Sequence, residues 1–92
     1  MVDALYPNYP NPFNPKTTIA FSLAKSAKVS VSIYNTKGQL VKTLVSGGKA
    51  AGLYKVEWDG KNNAGNKVSS GIYFTRIDTP TFTSTRKIMM LK

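Results

Sequence analysis

The apolar residues of this chain recur with a period of two, and this constrains its fold more than any other feature. Between Lys28 and Tyr34 the aliphatic residues Val29, Val31 and Ile33 alternate with polar ones. Residues 17–23 and 53–58 alternate in the same way, 72–77 is largely apolar, and the segment 84–91 ends in an apolar run at 88–91. Because successive side chains of a β-strand point to opposite faces of the sheet, this pattern predicts strands.

Turn residues separate these segments at intervals of about 8–12 residues, and no segment has a convincing helical period. The 92-residue length allows one domain. The sequence therefore predicts an all-β fold, an immunoglobulin-like β-sandwich of about seven antiparallel strands with no helix. A central strand is predicted for 72–77, a brief strand for 67–69, and a flexible loop for 47–52.

The segment 39–45 has an apolar spacing that also fits a helix. Its valines, and the glycines that flank it at Gly38 and Gly47, favour a strand. A β-bulge between Val41 and Leu44 would reconcile the spacing with a strand.

Four prolines within residues 6–15 exclude a helix or a central strand there. We expect residues 1–15 to be an extended, proline-rich linker that leads into the domain, and residues 16–92 to be the sandwich. The aromatic residues Tyr6, Tyr9 and Phe13 have two possible places, on their own domain or on a partner.

Composition argues against catalysis. The chain has no His and no Cys, and its only acidic residues are Asp3, Glu57, Asp59 and Asp78. Most hydrolytic mechanisms and zinc sites need groups that are missing here. The loop 59–65 departs from the calcium-loop pattern, and nothing beside Glu57 and Asp59 indicates a cleft. We predict a binding or structural module that has no catalytic residues, no metal site and no cofactor.

The formal net charge is +9, with 13 basic residues scattered along the chain. Such a charge favours anionic partners, but scattered lysines are typical of a solvated β-sheet surface. Most aromatic residues fall on predicted core faces, so a nucleic-acid partner is not predicted. No apolar run approaches the roughly 18 residues of a membrane span, and membrane insertion is not predicted.

The last strand is unusual because both of its faces are apolar. A central or sheet-pairing strand explains this. So does a terminal strand that another protein recognises, for instance by pairing at a sheet edge.

Several motifs, taken together, resemble a known family. They are Tyr9-Pro10-Asn11-Pro12-Phe13-Asn14-Pro15, Val31-x-Ile33-Tyr34-Asn35-x-x-Gly38, Gly52-x-Tyr54-x-Val56-x-Trp58-Asp59-Gly60, Ser70-Gly71-Ile72-Tyr73-Phe74 and Lys87-Ile88-Met89-Met90-Leu91-Lys92. This order closely resembles the type A C-terminal sorting domain of type IX (Por) secretion cargo. The block from Trp58 to Tyr73 also resembles the immunoglobulin-like domain of flagellar hook-capping proteins.

The resemblance implies a non-catalytic sorting domain that directs a secreted cargo through the type IX outer-membrane translocon. It also implies a second partner, a cell-surface sortase that removes the domain and attaches the cargo to the surface. It implies passage through the periplasm, then a location at the cell surface or outside the cell, and we expect a monomer. The implied recognition residues are Pro10, Asn11, Pro12, Phe13, Lys87, Ile88, Met89, Met90, Leu91 and Lys92. The residues that we expect to determine the fold are Trp58, Asp59, Gly60, Gly71 and Tyr73.

Two alternatives stay open. One is an accessory adhesive or carbohydrate-binding sandwich of a secreted enzyme, which would carry a strip of exposed aromatic residues. The other is a hook-cap-like assembly domain, which would associate through its sheet edges.

Overall fold

Seven strands form two antiparallel sheets in the computed structural model, which describes residues 2–13 and 15–91. The three-stranded sheet has the order β1-β2-β5 and the four-stranded sheet the order β4-β3-β6-β7. This confirms the predicted all-β, immunoglobulin-like sandwich, and no helix occurs in residues 2–13 and 15–91. The strands are β1 (Ala4–Leu5), β2 (Thr17–Leu23), β3 (Ala27–Tyr34), β4 (Leu40–Lys49), β5 (Gly52–Trp58), β6 (Gly71–Asp78) and β7 (Thr83–Met90).

The core lies between the inner faces of the two sheets, and the predicted alternation selects its residues. Every second residue of β2, β3 and β6 is buried, while their neighbours on the other face are polar or more exposed. Burial of each large apolar side chain contributes about 1.5–3 kcal/mol, and no disulfide adds to it. The buried apolar residues are Leu5, Phe13, Ile19, Phe21, Leu23, Val29, Val31, Ile33, Val41, Trp58, Tyr73, Ile77, Ile88 and Met90.

The ambiguous segment 39–45 belongs to strand β4. Its pairing with β3 shifts register twice, once past Leu44 and once past Val41, so the bulge that the apolar spacing required is present. These shifts turn Val41 into the core, where it is 9% exposed. The strand continues to Lys49, because Gly47 and Gly48 pair with β3.

Two local predictions are wrong. The start of the predicted flexible loop, residues 47–49, is strand, because ladder hydrogen bonds need only backbone groups and the glycines supply them. The predicted strand at 67–69 is reduced to one bridge between Lys61 and Lys67. Side-chain patterns carry little information in such glycine-rich or very short pieces.

The proline-rich segment is built into the sandwich rather than extended away from it. Ala4 and Leu5 pair with β2, and Leu5 and Phe13 are buried in the core. The chain bends at residues 10–12, where the Tyr9–Pro10 and Asn11–Pro12 peptide bonds are cis. Prolines exclude a central strand, but they leave a place at a sheet edge, and this segment takes it. The boundary between linker and sandwich, predicted between residues 15 and 16, stays a prediction, and so does the cargo that the resemblance places before the linker.

Candidate functional site

Two segments that the sequence singled out for recognition lie side by side. Asn11–Phe13, from the proline-rich segment, runs along Lys87–Leu91, from the end of the chain. We call this contact the seam. It joins residues that are 76 and 78 positions apart, and it includes a parallel bridge between Phe13 and Met90.

Four hydrogen bonds hold the seam together. The Met89 N–H donates to Oδ1 of Asn11 over 3.0 Å, and Nδ2 of Asn11 donates to the Lys87 carbonyl over 3.5 Å. The Phe13 N–H donates to the Met89 carbonyl over 3.0 Å, and the Leu91 N–H donates to the Phe13 carbonyl over 2.9 Å. The prolines on either side of Asn11 have no N–H, so its side-chain amide supplies the donor that a strand backbone normally provides.

The seam closes half of a sheet edge. Strand β7 is the last strand of its sheet, so the N–H and C=O groups of every second residue point away from β6. Between the Lys87 carbonyl and the Leu91 N–H, these groups already bind Asn11 and Phe13. Another protein that added a strand here would first have to displace the proline-rich segment. Side chains are therefore the accessible feature of this half of β7.

The implied recognition residues divide into a buried set and an exposed set. Phe13, Ile88 and Met90 are buried and face the core. They support the seam and are not available for direct contact in the folded domain. Lys92 lies outside the residues that the structure describes. The exposed side chains are those of Pro10, Asn11, Pro12, Lys87, Met89 and Leu91.

A cluster of buried aromatic rings supports the seam on the side that faces the core. The Phe13 ring lies 5.5 Å from the Trp58 ring, which lies 5.3 Å from Tyr73 in an edge-to-face arrangement. The indole N–H of Trp58 donates to the Lys61 carbonyl over 2.9 Å, and the Tyr73 hydroxyl donates to the Ser69 carbonyl over 2.6 Å. Both polar atoms are thus satisfied while the rings fill the core.

Gly60 lies against the end of β7 and has a left-handed φ of 74°. A Cβ atom at this position would lie 2.9 Å from Sδ of Met90 and 3.5 Å from the Pro15 carbonyl oxygen. Glycine therefore meets two needs at once, an unusual backbone conformation and close approach to the seam. The neighbouring Asp59 is exposed and accepts a hydrogen bond from the Lys61 N–H over 3.2 Å, which shapes the turn. Gly71 has a φ of 141° and begins β6 directly opposite Met90.

A buried polar group beside the seam was not found from the sequence. Nδ2 of Asn8 donates to Oγ1 of Thr17 over 2.9 Å, and that hydroxyl donates to the Pro10 carbonyl over 2.8 Å. Both residues are almost fully buried. They hold the bend at Pro10 against β2. Nothing in the sequence pattern separates Asn8 from the other asparagines of the segment.

Two ion pairs occur in the part of the chain that the structure describes. Lys16 and Glu57 lie 3.6 Å apart on the surface, and Arg76 and Asp78 lie 3.1 Å apart. Lys87 has no acidic partner within the described part of the chain. Across residues 2–13 and 15–91 no three acidic side chains come together in a way that could hold a metal ion, and no helix is long and apolar enough to cross a membrane.

The family model of the FlgD Ig-like domain matches residues 11–80, which is most of the chain. The chain belongs to the FlgD Ig-like domain family. Its match begins at the seam residue Asn11, so the family pattern includes the part of the proline-rich segment that packs on β7. No curated protein matches the chain.

Solved structures with the FlgD Ig-like type of fold include FlgD from P. aeruginosa, with a TM-score of 0.63 and 29% identity over 80% of this chain and 57% of that one. Dimeric latent PorU from Porphyromonas gingivalis gives a TM-score of 0.75 with 20% identity over 98% of this chain. PorZ, described as an essential surface component of the type-IX secretion system of the same bacterium, gives 0.65 with 24% identity over 96%.

The chain spans only 9% of the PorU chain and 11% of the PorZ chain. At these identities the likeness to PorU and PorZ shows a shared fold. This family member is thus similar to one small domain of much larger proteins.

Proposed function

We propose that this domain is a non-catalytic sorting module that directs a secreted cargo through the type IX outer-membrane translocon. The seam carries the proposal. It brings two segments that the sorting-domain resemblance names as recognition elements, residues 10–13 and 87–91, into one surface. Domains of the same shape occur in PorU and in PorZ, a surface component of the type-IX system, which supports the assignment.

In this proposal the translocon recognises side chains of the seam and does not pair with a free strand edge. Asn11 and Phe13 occupy the backbone groups from Lys87 to Leu91, while Pro12, Lys87 and Met89 border a shallow groove of ≈220 Å³. A receptor that binds this groove contacts both chain segments at once. It therefore distinguishes a folded domain from an unfolded chain, in which the two segments are separate.

The partners in this proposal are translocon components and a cell-surface sortase, and the domain acts as a monomer that uses no cofactor. The cargo passes through the periplasm and ends at the cell surface or outside the cell. The bound domain contributes recognition only, and its removal by the sortase is chemistry that the partner performs.

The test is an export assay. Residues 1–92 are fused behind a fluorescent reporter that carries a signal peptide, in a bacterium with type IX secretion. We expect the reporter outside the outer membrane, and we expect it in the periplasm of a strain without the translocon. Retention of a folded fusion in the periplasm of the wild-type strain would contradict the proposal.

A substitution pair shows whether the seam is what the translocon recognises. Deletion of residues 87–92 is a poor test, because it also removes the buried Ile88 and Met90 from the core. Asn11→Ala removes two of the four hydrogen bonds of the seam and leaves the core in place. Asn63→Ala is its matched control, since Asn63 binds the opposite edge strand of the same sheet through Thr43. We expect export to fall several-fold with Asn11→Ala only, and equal export of the two variants would contradict recognition at the seam.

The FlgD family match favours a second candidate, an assembly domain of the hook-cap type. Such a domain associates with copies of itself or with its neighbours through sheet edges. Sedimentation at increasing protein concentration separates the two functions. A sorting module stays a monomer, whereas an assembly domain forms larger species.

A further inference from the structure

The outer face of the four-stranded sheet carries a row of apolar side chains that the core does not use. Tyr34 lies opposite Leu40 on β4 and opposite Phe74 on β6, and Phe74 lies opposite Lys87 on β7. Residues that are directly opposite on neighbouring antiparallel strands point to the same face. The row therefore crosses all four strands, over about 14 Å at roughly 4.8 Å between strands.

A second pair widens the row next to the seam. Ile72 lies opposite Met89, and their side chains are 38% and 36% exposed, while Leu40 at the far end is 52% exposed. The buried neighbours of these residues, among them Tyr73 and Ile88, show that the pair faces away from the core. We call this surface the apolar patch. It consists of Tyr34, Leu40, Ile72, Phe74 and Met89, and it includes Lys87, which lies between them.

The outer face of the three-stranded sheet is different. Its longer strands β2 and β5 turn mainly small or polar side chains outward, and Leu53 is the one large apolar side chain of these two strands on that face. The preceding segment adds two exposed tyrosines, Tyr6 and Tyr9, beside β2. Strands β2 and β5 therefore carry no row of paired apolar residues like the one that crosses the four-stranded sheet. A contiguous exposed apolar patch is typical of an interaction surface.

We infer that the apolar patch is a docking surface for an acidic protein, one that offers apolar side chains to the patch and a carboxylate to Lys87. Lys87 is exposed within the patch and has no acidic partner in the described residues, whereas the nearby Arg76 is paired with Asp78. The net charge of +9 disfavours a second copy of the chain on this face, because the two copies repel each other.

The inference deepens the proposed function and rests on it for the choice of cell and fusion. It adds residues outside the implied recognition set, namely Tyr34, Leu40, Ile72 and Phe74, and it assigns a chemical character to the partner. The seam and the patch share β7, so a single partner surface spans both.

The experiment places a photo-crosslinking benzoylphenylalanine at position 40 or at position 53 of the fusion, in cells with type IX secretion. Leu40 and Leu53 are a matched pair, 52% and 54% exposed on opposite faces of the sandwich. We expect a defined adduct from position 40 and none from position 53, with the captured protein identified by mass spectrometry and carrying an acidic surface. No adduct, equal adducts at both positions, or an adduct between two copies of the fusion would overturn the inference.

Charge reversal tests the role of Lys87. Lys87→Glu is compared with Lys55→Glu, which makes the same change on the opposite face, and thermal melting confirms that both variants stay folded. We expect about a tenfold loss of the position-40 adduct with Lys87→Glu, and a similar loss at high salt, because both remove a charge contact within an apolar interface. An adduct that neither change reduces would overturn the acidic partner.

Export is measured in the same cells, so the two proposals fail separately. If the fusion without substitutions stays in the periplasm but the fusion with the crosslinker at position 40 gives the adduct, the sorting role is contradicted and the docking surface is supported. If the fusion is exported, and the Leu40→Ser and Lys87→Glu variants are exported to the same level as the Leu53→Ser variant, the docking surface is contradicted and the sorting role is supported.

Discussion

Strands β4 and β7 are the two edges of the same sheet, and a loop asparagine covers part of each. Asn63 donates its backbone N–H to the Val41 carbonyl and accepts the Thr43 N–H at Oδ1, over 3.0 and 3.1 Å. On β7, Asn11 binds Met89 and Lys87 in a similar way through both atoms of its amide. Each asparagine binds backbone groups that would otherwise offer a site for strand addition.

The two edges differ in whether the segment that carries the asparagine also packs in the core. Asn63 belongs to an exposed loop, and its neighbours contribute nothing to the core. Asn11 is followed two residues later by Phe13, whose backbone continues the pairing and whose ring packs on Trp58. The edge at β7 is thus coupled to the core, and the edge at β4 is covered locally. We expect the first to open only when the domain loses core packing, and the second to open on its own.

The largest expected effect is that of Phe13→Ala. Loss of a fully buried aromatic ring leaves a cavity beside Trp58, and we expect a fall in the free energy of unfolding of about 3–5 kcal/mol. Denaturant unfolding measures it. Tyr9→Ala is the control in the same segment, since Tyr9 is 81% exposed, and it should cost less than about 0.5 kcal/mol. Similar values for the two variants would show that the segment is not coupled to the core.

Gly60→Ala comes next. The new Cβ would lie 2.9 Å from Sδ of Met90, so the Met90 side chain must move, and it is buried in the core with only 7% exposure. Gly65→Ala isolates the backbone cost, because Gly65 also has positive φ but has open space around it. We expect Gly60→Ala to destabilise the domain by about 1–3 kcal/mol more than Gly65→Ala. Equal unfolding free energies would mean that Gly60 serves only its backbone conformation.

Asn11→Ala should destabilise the domain by about 1–2 kcal/mol, because it removes two hydrogen bonds and leaves the Met89 N–H without its protein partner. Amide hydrogen exchange shows the effect at its site. We expect faster exchange at Met89 and unchanged exchange at Thr43. If Met89 stays protected, the Phe13 backbone alone is sufficient to close this edge.

Asn63→Ala should have the smallest effect, about 0.5–1 kcal/mol, since its backbone N–H keeps the bond to Val41 and only the side-chain bond to Thr43 is lost. Exchange should become faster at Thr43 and stay unchanged at Met89. A change at both amides would contradict the independence of the two edges.

Much of the fold was predictable from the sequence. The alternation in β2 and β3 located both strands and their inward residues, and the apolar run at 72–77 predicted the central strand that β6 forms. Predictions failed where the side chains carried no period, as at Gly47 and Gly48, or where a segment pairs only through a few backbone groups, as β1 does. A two-residue edge strand leaves no period to detect.

The candidate site was predictable only in part. The sequence marked residues 10–13 and 87–92 separately, on a family resemblance, and the structure shows that the described parts of the two segments touch. Which of these residues face outward was not predictable for the proline-rich segment, because its side chains have no regular period. Asn8 and Phe13 are buried there while Tyr9 is exposed.

The sequence by itself determined the all-β class, the strands of clear alternation and the absence of the side chains that most catalysis requires, because these depend on local periodicity and composition. The tertiary structure alone decided that the proline-rich segment closes the edge of β7, and that Tyr34, Leu40, Phe74 and Met89 share one face. Both results depend on strand order and register, which bring together residues that are distant in the chain. Order and register are in turn set by which side chains the core as a whole buries.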